Sequence, residues 1–263
     1  MLRSLKFEVC AFDCTIRAAT SSPQAFAVLS RYIFPPLPRI TGAVVQPDIL
    51  ICLDEIGEEF QLLVNGEVMA SAGRPESLAA HVVHFLDEAV VKRLTGLCAV
   101  HSGAVQWNGR ALLLPGATHS GKSSLVAELL RRGATCFSDE FALIDTEGRV
   151  HPYPRPLLLR DGGPRQFPLL PEELNASFAD APAPIGWILA LEYQSAESWN
   201  IAPVPQGFAL MTLLRNTPHP LAEVPGMMQA FQRAVAGAAC FAGRRHDAIQ
   251  AADRILVLLG GQP

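Results

Sequence analysis

Gly116 and Gly121 frame four residues, Ala117, Thr118, His119 and Ser120, and are followed by Lys122, Ser123 and Ser124. This is the spacing of a phosphate-binding loop. Glycines at the two ends let the backbone curl so that successive N–H groups point at phosphate oxygens, a lysine after the second glycine reaches the β- and γ-phosphates, and the hydroxyl after it can ligate Mg²⁺. An acidic pair, Asp139-Glu140, follows Lys122 by 17 residues. Two adjacent carboxylates beside such a loop can divide the work of phosphoryl transfer, one taking a proton from an incoming hydroxyl while the other holds the metal. ATP with Mg²⁺ is the expected ligand pair, on Gly116 through Ser124.

Specific local elements must position these groups. Ala111-Leu112-Leu113-Leu114 is an apolar run suited to a buried strand. From Ser123 to Arg132, Leu125, Val126, Leu129 and Leu130 recur at helical spacing until Gly133 stops them. A strand feeds the loop, and the loop feeds a helix whose N-terminus adds its positive dipole end to the site. Ala134 to Ser138 reads as the next strand, which delivers Asp139 and Glu140 at its carboxyl end, where open α/β sheets bind ligands.

From His101 to about Ile144 the chain resembles the bacterial HPr kinase/phosphorylase group and the looser set of kinases that share its catalytic domain. His101 stands 15 residues before Gly116, Glu128-Leu129-Leu130-Arg131-Arg132-Gly133 looks like that family's loop-helix end, and Asp139 lies at the family's distance past the lysine. The resemblance implies an α/β fold like that of phosphoenolpyruvate carboxykinase. By position it makes Asp139 the general base, Lys122 the phosphate lysine, Ser123 a Mg²⁺ ligand and His101 an active-site neighbour. It implies a serine on a protein or peptide as acceptor. A small-molecule acceptor on the same fold, or a nucleotide-binding scaffold without turnover, are the alternative readings, and retention of Lys122, Ser123, Asp139 and Glu140 together favours catalysis. The sequence departs from the family in three ways. Glu140 stands where the family has a second aspartate and is assigned to the metal with Asp139 and Ser123. No downstream glycine-rich segment for phosphorolysis is apparent. Residues 1 to 95 do not look like the HPr enzyme's own N-terminal domain. A homo-oligomer is compatible with the resemblance.

Arg215-Asn216 follows an apolar helix-like run from Phe208 to Leu214, and the family has an Arg-Asn pair late in its catalytic region, so Arg215 is a candidate for stabilising the transferring phosphoryl group. Arg155 and Arg160 read as solvated or salt-bridged, and the His119 side chain as exposed.

The 263 residues divide near residue 95 into a small α+β module (1–95), a candidate for substrate recognition, and the catalytic domain (96–263). In the first, Phe7–Phe12, Cys14–Arg17, Ile49–Leu53 and Phe60–Val64 read as strands, Asn65-Gly66 as a hairpin turn into Glu67–Ala70, Pro23–Tyr32 as a helix, Phe34–Pro38 as a proline-rich connector, and Pro75–Leu94 as a second helix. Met227–Phe241 and Ala248–Leu259 read as core helices, and Thr146-Glu147-Gly148 as a turn. Apolar residues make up 49% of the chain, enough for a sizeable core, and a net charge of −4 without a basic cluster argues against nucleic acid. No run reaches the length of a membrane span and no leader pattern opens the chain, so a cytoplasmic protein without a membrane partner is expected. The six scattered cysteines are expected to be reduced core residues.

Overall fold

The computed structural model describes residues 5–33, 37–38, 40, 46–117, 120–194, 199–219 and 224–260. It is a mixed α/β protein that divides into two compact units, residues 1–95 with 158–170, and residues 96–157 with 171–263.

In the first unit, β1 (Leu5–Ala11) and β2 (Cys14–Thr20) form a hairpin, and α1 (Pro23–Tyr32) leads to β3 (Ile49–Ile56), β4 (Glu59–Val64) and β5 (Glu67–Ala72). The five strands pair in sequence order, with β2 and β3 parallel and the other pairs antiparallel. Ser22 caps α1 through a side-chain hydrogen bond from the Ala25 N–H, and Pro23 fits the first turn, where no N–H is needed. Alternation along β3 buries Ile49, Ile51 and Leu53 on one face. Asn65 and Gly66 carry the positive φ angles, 52° and 89°, that a tight hairpin turn demands. The helix expected from Pro75 to Leu94 is shorter: Pro75–Leu78 winds as a 3-10 turn and α2 covers Ala79–Val91. Tightened first turns are a common way to begin a helix. Of the proline-rich connector, only Leu37 and Pro38 are among the described residues.

The second unit begins with β6 (Leu97–Trp107) and β7 (Arg110–Pro115), continues through α3 (Lys122–Arg131), β8 (Thr135–Ser138), β9 (Phe141–Asp145) and β10 (Arg149–His151). A ribbon of β11 (Leu157–Arg160) and β12 (Gln166–Leu169) follows, and nearly all of it groups with the first unit, so a single cut near residue 95 does not describe the division. The chain then returns with β13 (Ala183–Tyr193), β14 (Ala202–Pro203), α4 (Gln206–Arg215), α5 (Met227–Ala236), β15 (Ala239–Arg245) and α6 (Ala248–Leu258). The main sheet has the order β10-β9-β6-β7-β13-β15-β14, with β8 also on β6. Strands β7, β13 and β15 are parallel neighbours, and β10 pairs with both β9 and β13, so β10, β9, β6, β7 and β13 close into a ring. The core joins Val100, Leu113 and Ile144 from the sheet to Leu213 of α4 and Phe231 of α5.

The expected helix Met227–Phe241 stops at Ala236, because Gly237 caps it and Ala239 to Phe241 already belong to β15, which the sheet claims through its parallel register with β13. On α6 the core face is Ala251, Ala252, Ile255 and Leu256, while Ile249 and Val257 stay exposed, so only part of its apolar content is core. All six cysteines are free thiols, four buried, with Cys10 and Cys52 partly exposed. No helix among the described residues is long and apolar enough to cross a membrane.

The turn from Thr146 to Gly148 lies under α5. Gly148 has φ +78°, and a Cβ there would sit 2.6 Å from the Ala234 backbone nitrogen. Gly148→Ala is therefore expected to destabilise the second unit by roughly 1–3 kcal/mol from the backbone angle alone, with the clash adding to it. Urea denaturation checks this, and a wild-type midpoint would show that the turn does not bear on α5.

Candidate functional site

The three parallel strands β7, β13 and β15 end at the same edge of the sheet, and the glycine loop leaves the end of β7 there. Ligands of α/β sheets collect beyond such carboxyl ends because the connections that diverge from them leave a crevice. The loop is tied to β6 by a hydrogen bond from the Gly116 N–H to the His101 carbonyl (3.3 Å), and just before it the Ser102 hydroxyl accepts from the Leu114 N–H (3.1 Å). A Cβ on Gly116 would come within 3.1 Å of Ser120 Oγ, and Gly121 turns into α3 with φ +78°. The Ser120 hydroxyl oxygen is buried with no hydrogen-bond partner among the described residues. An orphaned hydroxyl in a glycine-framed cradle fits a ligand rich in oxygens. Thr118 and His119, assigned to the same loop, lie outside the described residues. Ser123 and Ser124 occupy the first turn of α3, Ser123 partly exposed and Ser124 exposed.

Lys122 is 9% exposed, and its ammonium donates to the carbonyls of Gly116 (2.9 Å) and Ala117 (3.0 Å). Its Nζ also stands 3.5 Å from His101 Nε2, and that imidazole nitrogen is 2.6 Å from Glu140 Oε1. Burial pulls the lysine pKa down, while Glu140 and then Asp139 pull it back up. Register explains how His101 and Glu140 meet: His101 is opposite Phe141 in the antiparallel pairing of β6 with β9, next to the turn that carries the acidic pair.

The two carboxylates have separate surroundings. Glu140 keeps an exposed fraction of its side chain and faces His101. Asp139 is fully buried, with Oδ2 3.8 Å from Nη1 of Arg155, itself 3% exposed. Arg155 is thus salt-bridged in the interior, not solvated. Arg160 belongs to the first unit and donates to the Pro164 carbonyl (2.6 Å).

An open cavity of about 1010 Å³ spreads from Gly116, Ala117 and Ser120 across the ends of β13 and β15 to α4. Arg215 and Asn216 line it, and the Asn216 carbonyl accepts the His101 N–H (2.7 Å), so the late Arg-Asn pair sits beside the early histidine. The structure therefore links Lys122 and Glu140 through His101, sets Arg215 on the wall of the adjoining cavity, and holds Asp139 with Arg155 in the interior. Sequence reasoning missed Arg245 at the end of β15, whose guanidinium donates to the Ser120 and Gly121 carbonyls (3.1 and 2.8 Å), and Tyr193 at the end of β13. No local spacing ties Arg245 to a loop more than a hundred residues earlier. The parallel pairing of β15 with β13, and of β13 with β7, brings it there.

Among the described residues no three His, Cys, Asp or Glu side chains cluster to hold a metal ion by themselves. Such a centre differs from a Mg²⁺ site, where the ion takes one or two protein oxygens and completes its shell with substrate phosphates and water.

Burial by itself would raise the Glu140 carboxyl, but the His101 hydrogen bond and the charges of Arg155, His101 and Lys122 outweigh it and hold the pKa at about 2, below its ordinary 4.5. A carboxyl depressed in the folded state stabilises the protein fully above its unfolded value, and that contribution fades as pH falls through the folded one. Glu140→Gln is accordingly expected to flatten the loss of stability between pH 4.5 and about 2. Urea midpoints across that window test this, and parallel wild-type and variant curves would refute the coupling.

No family model matches the sequence, and no curated protein matches it.

Proposed function

We propose that this protein is an ATP- and Mg²⁺-dependent kinase that transfers the γ-phosphoryl group to a serine hydroxyl on a protein or peptide. The observation that carries the reading is the convergence of Lys122, His101 and Glu140 at the mouth of a glycine-framed loop where three parallel strands end. The sequence resemblance to HPr kinase-like enzymes, with their phosphoenolpyruvate carboxykinase-like fold, supplies the acceptor class.

In this reading the backbone N–H groups from Gly116 to Ser124 bind the nucleotide's phosphates, and Lys122 exchanges its two loop carbonyls for phosphate oxygens. Mg²⁺ would supply charge neutralisation when bound, and the Ser123 hydroxyl is the protein oxygen that would hold it, with phosphate oxygens and water completing its shell. The acceptor hydroxyl approaches on the His101 side, and its proton passes to the His101–Glu140 pair. This assignment moves the base from Asp139 to Glu140, because a carboxylate with no exposed surface, paired with a buried arginine, is out of an acceptor's reach. Asp139 and Arg155 then hold the turn that presents Glu140. Arg215, on the cavity wall, is the cation available to the transferring group. Catalysis by such a set comes mainly from orientation and fixed charge.

The cavity also favours one alternative. Its volume of about 1010 Å³ leaves space beyond the loop for a small-molecule acceptor.

The test uses γ-labelled ATP and Mg²⁺ with lysate of the source organism, comparing wild type with three variants. Lys122→Ala is expected to lower transfer by about 10²–10³-fold, as for loss of one preorganised charge donor, and Glu140→Gln by about 10²–10⁴-fold, the usual weight of a general base. Asp139→Asn leaves Arg155 buried without its carboxylate and is expected to cost about 3–5 kcal/mol of stability. A folded Asp139→Asn protein that has lost transfer would return the base to Asp139. Label appearing only in small molecules would select the metabolite acceptor, and absence of nucleotide binding would end the kinase reading.

A further inference from the structure

Arg245 is 2% exposed, and its side-chain hydrogen bonds among the described residues go to carbonyls, with the Asp247 carboxylate acting on it only as a nearby charge. Nη2 donates to the Ser120 carbonyl at 3.1 Å and to the Gly121 carbonyl at 2.8 Å, and Nη1 donates to the His246 carbonyl at 3.0 Å. The guanidinium also lies over the Tyr193 ring, 5.7 Å from its centroid, because Tyr193 and Arg245 are register partners where β13 and β15 end. The fit to the loop is close. A Cβ on Gly121 would stand 2.6 Å from Nη2, so the fork fills the space a side chain at 121 would need.

These contacts act on the groups that matter for anion binding. A trans peptide is planar, and its C=O and N–H point in opposite directions. The Ser120 carbonyl, fixed on the Arg245 side, therefore turns the Gly121 N–H the other way, and the Gly121 carbonyl, shared between Arg245 and the Leu125 N–H of α3 (3.2 Å), does the same for the Lys122 N–H. The planar guanidinium holds both loop carbonyls through Nη2 and the His246 carbonyl through Nη1, three acceptors fixed in relation to one another, whereas a lysine ammonium has a single donor nitrogen and cannot span them.

We infer that Arg245 is the positioning residue of the phosphate loop: by holding the Ser120 and Gly121 carbonyls it aims the N–H groups of Gly121 and Lys122 at a bound polyphosphate. The inference rests on the reading of the loop as a nucleotide site and adds to it the device that keeps the loop set before the ligand arrives. It also joins the loop to Tyr193 on the cavity wall, over whose ring the guanidinium lies.

Calorimetric titration of wild type, Arg245→Lys and Arg245→Met with ATP, inorganic tripolyphosphate and adenosine separates the possibilities. Loss of charged hydrogen bonds predicts that both variants bind ATP and tripolyphosphate about tenfold or more weakly, with adenosine affinity unchanged. Wild-type affinity for tripolyphosphate in Arg245→Lys would show that charge alone suffices and overturn the bridging role. Equal weakening for adenosine and tripolyphosphate would reveal a general structural fault and overturn it too. Amide exchange in the wild type needs no variant to fold: tripolyphosphate is expected to slow exchange at Gly121 and Lys122, and no slowing would also overturn the inference. Failure of the wild type to bind both ATP and tripolyphosphate would instead bring down the nucleotide reading itself.

Discussion

A nearly buried ammonium group at the end of a strand sets the terms for the rest of this protein. Removing the Lys122 charge from water is costly unless oxygens surround it, and the chain meets that need from three directions. The loop supplies the Gly116 and Ala117 carbonyls, β6 supplies His101, and the turn after β8 supplies the charge of Glu140, which binds that histidine. The carbonyl contacts are local to the loop, but the histidine and the carboxylate behind it meet the lysine only when β6 lies between β7 and β9 with its observed register. The electrostatics of one side chain and the order of the central strands are in that sense the same constraint.

The acidic pair shows how one sequence feature is divided by the fold. Two neighbouring carboxylates near a cation would repel each other if both faced it. Here Glu140 is given to the histidine and lysine, while Asp139 is given to Arg155 in the interior. Arg155 and Lys122 act on both sides of the pair, and the Asp139–Arg155 contact holds the turn between β8 and β9 from its buried side. Geometry of this kind lets the exposed carboxylate be placed accurately, since a group fixed by a rigid neighbour loses little freedom when it acts.

Much of this was legible in the sequence where the signal was local. The strand, glycine loop and helix from Ala111 to Arg132 were visible because apolar spacing changes from continuous to helical around two glycines, and β4 and β5 because Asn65-Gly66 can hardly be anything but a tight turn. Chemistry that depends on long-range pairing was not legible. Arg245 follows a stretch that scans as the tail of a helix, and only the pull of the sheet makes Ala239 to Arg245 a strand. The interior place of Arg155 was likewise hidden, since an arginine among prolines carries no mark of burial. Residues 158–170 leave the second unit for the first, a detour that no composition shift announces.

The closed ring of β10, β9, β6, β7 and β13 affects how the molecule can open. An open sheet frays from its edge strands, one ladder at a time, and local openings of that kind span a wide range of free energies. Each strand of the ring has a partner on both sides, so detaching any one breaks two ladders together. His101 on β6 and the root of the glycine loop on β7 are therefore anchored in the part of the second unit that should open last, with its slowest fluctuations. Breathing in the second unit is left to β8, β14, β15 and the helices outside the ring, on which the lining of the cavity away from β6 and β7 partly stands.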